Sequence, residues 1–231
     1  MIIIKKILLI LLLFVSFSAI TVLFYKFVNP PVTSIILLKE EFTLTSFLSI
    51  KNYNQKWQGI QNISAYAPLA VIASEDQIFF EHFGFDFRQI EKAIKENERR
   101  RRIRGASTIS QQVAKNLFLC NDKSIFRKAF EAYYTLLIEL LWSKKRILEV
   151  YLNVAEMGDN IYGVEAASEI FFHKSSLKLT SAEAAFLAAV LPNPIKRKVS
   201  RPSSYLLRRK EQILTQMELI GGLPFIKEKL R

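Results

Sequence analysis

No charged residue occurs between Ile7 and Tyr25, a run dominated by Leu, Ile, Val and Phe. As a helix, a segment of that length spans roughly 30 Å, about the hydrocarbon thickness of a bilayer, so it is read as a membrane span. Lys5 and Lys6 precede it, which by the positive-inside tendency leaves the N-terminus in the cytoplasm and delivers everything after about Asn29-Pro30 to the outside. Lys26 can snorkel to the far headgroups. Ser16-Phe17-Ser18 loosely imitates the cleavage site of a signal peptide. Apolar residues continue past it through Ile20, Val22, Leu23 and Phe24, which suits an uncleaved, single-pass anchor in the cytoplasmic membrane better. The expected division is a cytoplasmic tip and transmembrane anchor over 1–28, a linker and membrane-proximal segment over 29–64, and a folded domain over 65–231.

Half of the 231 residues are apolar and only 7 are Gly and 7 Pro, enough for one domain with a sizeable core. The formal charge is +12, and setting aside Lys5, Lys6 and Lys26 lowers it only to +9, so the basic excess belongs to the folded part. Its partner should be anionic: nucleic acid, an acidic membrane surface, or a phosphate-bearing substrate, among which composition does not choose. A single cysteine, Cys120, excludes an internal disulfide framework.

The pattern after Pro30-Pro31 shows no long period until about Pro68, and helical signals then dominate. Asp86 followed by Gln89 has the form of a capping box, with Phe87, Ile90 and Ile94 forming a stripe on the helix it would start. The run Glu98 to Gly105, with arginines at 99–102 and 104, is too charged to be buried and is expected to be an exposed loop. Ser107 or Thr108 can cap a helix to about Leu119. A longer helix is expected from about Ser124 to Leu141, with an apolar face of Ile125, Ala129, Tyr133, Leu136, Leu137 and Leu140. Ser143 opens another. Thr180 with Glu183 caps an Ala-rich helix that stops at Pro192-Asn193-Pro194, and the last helix is expected to end at Gly221-Gly222. No strand-turn-strand series is visible, so the fold class is mainly α.

Three places carry candidate chemistry. Glu75-Asp76 follows the apolar Leu69 to Ala73 and precedes Phe79, Phe80 and Phe83, a setting in which burial raises a carboxyl pKa towards that of a general base. An acidic helix end that caps backbone N–H groups is the plainer reading of such a pair. Arg127, Lys128 and Glu131 share one helix face, where an ordinary surface ion pair worth about 0.3–0.5 kcal/mol is the plainer reading. Gly105 to Gln112 joins a basic loop to a helix N-terminus, where free N–H groups attract phosphate, and Lys115 lies one turn further on.

The order Glu75-Asp76-x-x-Phe79-x-x-His82-x-Gly84, then Gly105-x-Ser107-Thr108-x-x-Gln111-Gln112, then Arg127-Lys128-x-x-Glu131 resembles the glycosyltransferase domain of the peptidoglycan polymerases. Lys144-x-x-Ile147-Leu148-x-x-Tyr151-Leu152-Asn153, and Gly163 to Ala167 with Phe172, resemble that family's fourth and fifth motifs. The likeness covers about residues 65–195 in the right order, and within the family it is to the monofunctional biosynthetic form. Ser175-Ser176-Leu177-Lys178 matches the Ser-x-x-Lys pattern of penicilloyl-serine enzymes, but without a Lys-Thr-Gly or Ser-x-Asn partner it is read as coincidence, and no transpeptidase activity is expected.

The resemblance implies a lysozyme-like, two-lobed helical domain that joins lipid II to a growing lipid-linked glycan, forming β-1,4 strands with inversion and release of polyprenyl pyrophosphate. It implies Glu75 as the base and Glu131 on the donor side. Lys115, Arg127 and Lys128 would stand around the diphosphate; Ser107, Thr108, Gln111 and Gln112 would line the same cleft; Asp76, Phe79, His82, Gly84 and Asn153 would support it. No covalent cofactor is implied, and a divalent metal, Mg or Mn, is allowed for without a ligand set. Expected partners are the membrane, the two lipid-linked substrates and other cell-wall synthesis or division proteins, and not nucleic acid. The nearest rivals are a lysozyme-like or lytic glycan-cleaving enzyme, which also uses two carboxylates but needs no phosphate clamp, and a membrane-tethered binder of acidic polymers.

Overall fold

The chain opens with α1 (Ile2–Phe27), an uninterrupted 26-residue helix whose side chains are mostly exposed until its last three turns. The computed structural model describes residues 2–34, 36, 53–97, 105–120, 122 and 124–231. The basic run at 98–104, read above as a loop, lies outside the described residues.

Nine further helices follow among the described residues: α2 (Tyr66–Glu75), α3 (Phe87–Asn97), α4 (Ile109–Phe118), α5 (Ile125–Leu141), α6 (Lys144–Val154), α7 (Val164–Phe172), α8 (Ser181–Val190), α9 (Ser204–Leu219) and α10 (Gly222–Lys229). The fold is mainly α, as expected. Its helix starts are set by side-chain oxygens that accept from otherwise orphaned N–H groups: Asp86 from Gln89 N at 2.9 Å, Ser124 from Arg127 N, and Thr180 from Glu183 N in a full capping box. At α4 the cap is Thr108, not Ser107, and Gln111 completes a second capping box.

Helices α8, α9 and α10 pack on α2 in one lobe, while α4 packs on α5 and α6 in the other, and α2 touches α6 between them. A three-stranded sheet of very short strands, β1 (Asn54–Gln55), β2 (Glu156–Gly158) and β3 (Ile161–Tyr162), is ordered β1-β3-β2, with β1 parallel and β2 antiparallel to β3. Two- and three-residue strands are too short to leave an alternating pattern in the sequence, which explains why none was visible. The C-terminus also departs from expectation: at Gly221 (φ +105°) the chain enters the left-handed region that only glycine adopts without strain, and continues into α10 instead of ending.

Helix α5 is inside out. Its buried residues are Glu131, Thr135, Ile138 and Glu139, whereas Ile125 and Phe126 are about four-fifths exposed and Leu140 two-thirds exposed. Ile125, Leu136 and Leu140 of the apolar face point outwards, and the face that carries Glu131, Thr135 and Glu139 turns inwards beside Ile138. Part of that outer surface carries α1: Phe14 packs edge-on against Phe130 and tilted against Tyr133, and Ser18 Oγ lies 2.5 Å from Tyr133 OH. Trp142 Nε1 donates to Val22 O at 2.8 Å, and the Arg146 guanidinium donates to Tyr25 O, Val28 O and Asn29 Oδ1 at the end of α1. The anchor is therefore docked on the folded domain and not merely tethered to it.

Candidate active site

Helix α2 is buried from Ala67 to Ala73, so its C-terminal end delivers Glu75 to the junction of the lobes. Gln112 Nε2, from α4, donates to Glu75 Oε2 at 2.9 Å, and Ser74 Oγ makes a long contact of 3.4 Å with Oε1. Burial pushes the Glu75 carboxyl upwards, and the Gln112 hydrogen bond, Arg209, Ser74 and Arg197 offset this only partly. A raised pKa makes the ionised carboxylate a stronger proton acceptor.

The capping role that was the plainer reading of the Glu-Asp pair falls to Asp76. Its Oδ2 accepts from Ile109 N at 3.0 Å at the start of α4, and its carboxylate takes His82 Nε2 at 2.9 and 3.0 Å. Asp76 thus pins the N-terminus of α4, and α4 presents Gln112 to Glu75. Gly84 serves the same end: its carbonyl accepts from Thr108 Oγ1 at 2.7 Å.

Glu131, on α5, is only 2% exposed, so the surface-pair reading does not apply. Arg127 Nη1 binds one of its oxygens at 2.5 Å and Lys128 Nζ binds the other, while Lys128 also reaches Ser107 Oγ at 3.4 Å. Burial lowers the pKa of Lys115, Glu131 and Glu156 oppose that, and Arg127 and Lys128 reinforce it. Three cations and one carboxylate therefore meet on the α4–α5 face. A cavity of about 200 Å³ opens beside it, lined by Gln112, Lys115, Tyr151, Glu156, Tyr162 and Pro192 among others. It borders both Glu75's partner and the cation cluster.

Not every predicted residue lines this space. Thr108 and Gln111 are buried inside the α4 capping box, at 2% and 4% exposure, where they hold the helix. Phe79 is fully buried with Lys144 Nζ 4.6 Å over its ring. Asn153 ties the 53–60 segment to α6, accepting from Gln58 N and donating to Gln58 O and Glu149 O. In the Ser-x-x-Lys run, Ser175 caps a short 3-10 turn and Ser176 binds buried Glu165.

Sequence reasoning missed several groups near Glu75. Arg209, on α9, donates to Ser74 O at 3.2 Å, yet in the sequence it is one cation among 33 with no local signal. Tyr151 OH meets Gln112 Oε1 at 3.1 Å, and Glu139 receives Ser110 Oγ at 2.5 Å and Lys144 at 2.7 Å. Tyr151 and Lys144 lie within the Lys144 to Asn153 run, but nothing local in the sequence marks either contact.

The described residues offer no ready-made cluster of metal ligands. They contain no group of three His, Cys, Asp or Glu side chains, and both oxygens of Glu131 are engaged by cations.

The transglycosylase family profile matches residues 41–218. The chain belongs to this family. It is 48% identical over 219 residues to a biosynthetic peptidoglycan transglycosylase of Bacteroides thetaiotaomicron, covering 95% of this chain and 88% of the relative. It is 59% identical over 173 residues to proteins of the same description from Shigella sonnei and Escherichia coli O139:H28, in each case over 74% of this chain and 72% of the relative. This transglycosylase is accordingly a peptidoglycan glycosyltransferase with a lysozyme-like helical fold and an apolar N-terminal helix suited to a single-pass anchor.

Proposed function

We propose that this transglycosylase polymerises lipid II, with Glu75 taking the proton of the acceptor GlcNAc 4-hydroxyl so that its oxygen attacks the anomeric carbon of the lipid-linked donor. The donor's bond to pyrophosphate breaks as the new bond forms, the α-linked donor becomes a β-1,4 strand, and polyprenyl pyrophosphate leaves. The separation of roles within one cleft carries this reading: a desolvated carboxylate at one end, held by the Gln112 amide and a long Ser74 contact, and a cation cluster of Lys115, Arg127 and Lys128 on the neighbouring face. Charge that develops on a departing diphosphate needs fixed positive partners, whereas cleavage of a neutral glycan does not. Glu131 acts here by holding Arg127 and Lys128 in place.

The substrate's lipid tail favours a protein held at the membrane. The division into anchor 1–28, connecting segment 29–64 and catalytic domain 65–231 belongs to this reading, with the domain on the outer, periplasmic face. The exposed apolar side of α5 then lies against lipid beside α1, and other cell-wall synthesis or division proteins would meet the remaining surface.

The test is incubation of the detergent-solubilised full chain with lipid II. A ladder of longer glycans is expected, and Glu75→Gln should abolish it while melting cooperatively. Release of short fragments from preformed strands would overturn polymerisation; wild-type turnover by Glu75→Gln would overturn the base.

A further inference from the structure

Gln112 stands between two groups that make opposite demands on its carboxamide. A carboxylate only accepts, so the Gln112 atom facing Glu75 Oε2 at 2.9 Å must be the amide nitrogen. The amide oxygen then faces the Tyr151 hydroxyl at 3.1 Å. Tyr151 is fully buried, and burial together with the nearby Glu75 and Asp76 carboxylates drives its phenol well above the usual range, so it remains an O–H donor. We propose that Tyr151 is the positioning residue of the base: its hydroxyl locks the Gln112 carboxamide in the one orientation that donates to Glu75. This rests on the reading of Glu75 as base.

The lock matters because a carboxamide has two orientations of nearly equal shape. Turned over, Gln112 would aim its oxygen at the Glu75 carboxylate and leave its nitrogen facing Tyr151. An acceptor set against a partly buried carboxylate disfavours the ionised form, which is the form that accepts the proton. Ser74 Oγ, the other side-chain donor to Glu75, makes only a long contact of 3.4 Å. Arg209 from α9 and Arg197 from the segment after α8 act on it through charge; Arg209 donates to Ser74 O, and Arg197 to Ala189 O and Tyr205 OH. Asp76 beside it is committed to His82 and Ile109 N. On the other packed elements, α8's Glu183 binds Lys174 and α10's Lys229 lies over the Phe80 and Phe225 rings. On α4, Lys115 lies one turn beyond Gln112, in the cluster around Glu131.

The experiment is the pH dependence of lipid II polymerisation by the full-length protein. Tyr151→Phe keeps the ring and deletes the hydroxyl. It should raise the pH of the acid limb by about one unit, equivalent to about 1.4 kcal/mol, lowering kcat below that limb with little change in KM. Gln112→Met removes the amide and should move the limb the same way, and the double variant should move it no further than Gln112→Met does. A limb unmoved by folded Tyr151→Phe, or shifts that add in the double variant, would overturn the proposal. So would an unmoved limb in Gln112→Met, which decides the matter even if Tyr151→Phe does not fold. Activity surviving in Glu75→Gln would instead remove the reading on which the proposal rests.

Discussion

Gly84→Ala tests how the proposed base is held. Gly84 has φ +82°, and a Cβ built there would stand 2.7 Å from Thr135 Cγ2 and 3.1 Å from Glu139 Cγ. Left-handed backbone costs a non-glycine residue about 1–2 kcal/mol. The steric part adds about 1–3 kcal/mol, because neither neighbour is free to move: Thr135 is fully buried with Oγ1 donating to Glu131 O at 2.6 Å, and Glu139 is tied to Ser110 and Lys144. A loss of about 3 kcal/mol should lower Tm by roughly 6–12 °C in a domain of this size, read by circular dichroism in detergent. Polymerisation should fall further than stability requires, since the Gly84 carbonyl holds Thr108 and a shift there moves α4 and Gln112. The two costs can be separated. Thr135→Ser deletes Cγ2 but keeps the bond to Glu131 O, so Gly84→Ala/Thr135→Ser should recover the steric part, a coupling of about 1–2 kcal/mol. Strict additivity in that cycle, or a Gly84→Ala protein that melts with the wild type, would refute the packing account.

Glu131→Gln leaves Arg127 and Lys128 facing each other without their carboxylate. Loss of a buried partner costs about 3–5 kcal/mol, reduced here to about 2 because Lys128 is half exposed, so Tm should drop by roughly 4–8 °C and polymerisation by at least ~100-fold. Unchanged melting would show the pair to be solvated. For Glu75 the sign runs the other way: its carboxyl is raised in the folded state, so the native protein holds a proton that the unfolded chain gives up, and stability declines as pH rises from about 4.3 through the folded value. Glu75→Gln should therefore melt above the wild type at pH 7.5 and level with it below pH ~4; a lower Tm at both would contradict the desolvation. Arg146→Met removes the bonds to Tyr25 O, Val28 O and Asn29, and amide exchange in the last turn of α1 should quicken about 30-fold in micelles, for a loss of about 2 kcal/mol. Unaltered protection would mean that packing alone seats the anchor.

The helices were legible because their starts are chemical. Ser124, Ser143 and Thr180 announce themselves by a short polar side chain ahead of an amphipathic run, and each is an N-cap. What could not be read was which way a face points. Periodicity places Ile125, Leu136 and Leu140 on one side of α5 but does not say whether core or lipid covers them, and the structure leaves them outside. The candidate site was legible at Glu75 and Glu131 and opaque in several groups that reach it across the chain. Glu75 and Glu131 carry their chemistry in the residue type. Tyr151, Arg209 and Glu139 act through contacts across 29 to 135 residues, which no local pattern encodes.

Helix α4 explains why such separate parts need to be built together. Gln112 and Lys115 are three residues apart and so share a face. The first meets Glu75, and the second joins the cluster around Glu131. One end of α4 is fastened by Asp76 and the Thr108–Gln111 capping box, and the other by Ser34 Oγ, which donates to Asn116 O and Leu119 O. A rigid helix fixed at both ends sets the spacing between Gln112 and Lys115 as a single quantity. Any slip along its axis would draw Gln112 from Glu75 and Lys115 from the Glu131 cluster at once. That is a physical reason for spending two buried polar residues, Thr108 and Gln111, on a cap and not on substrate.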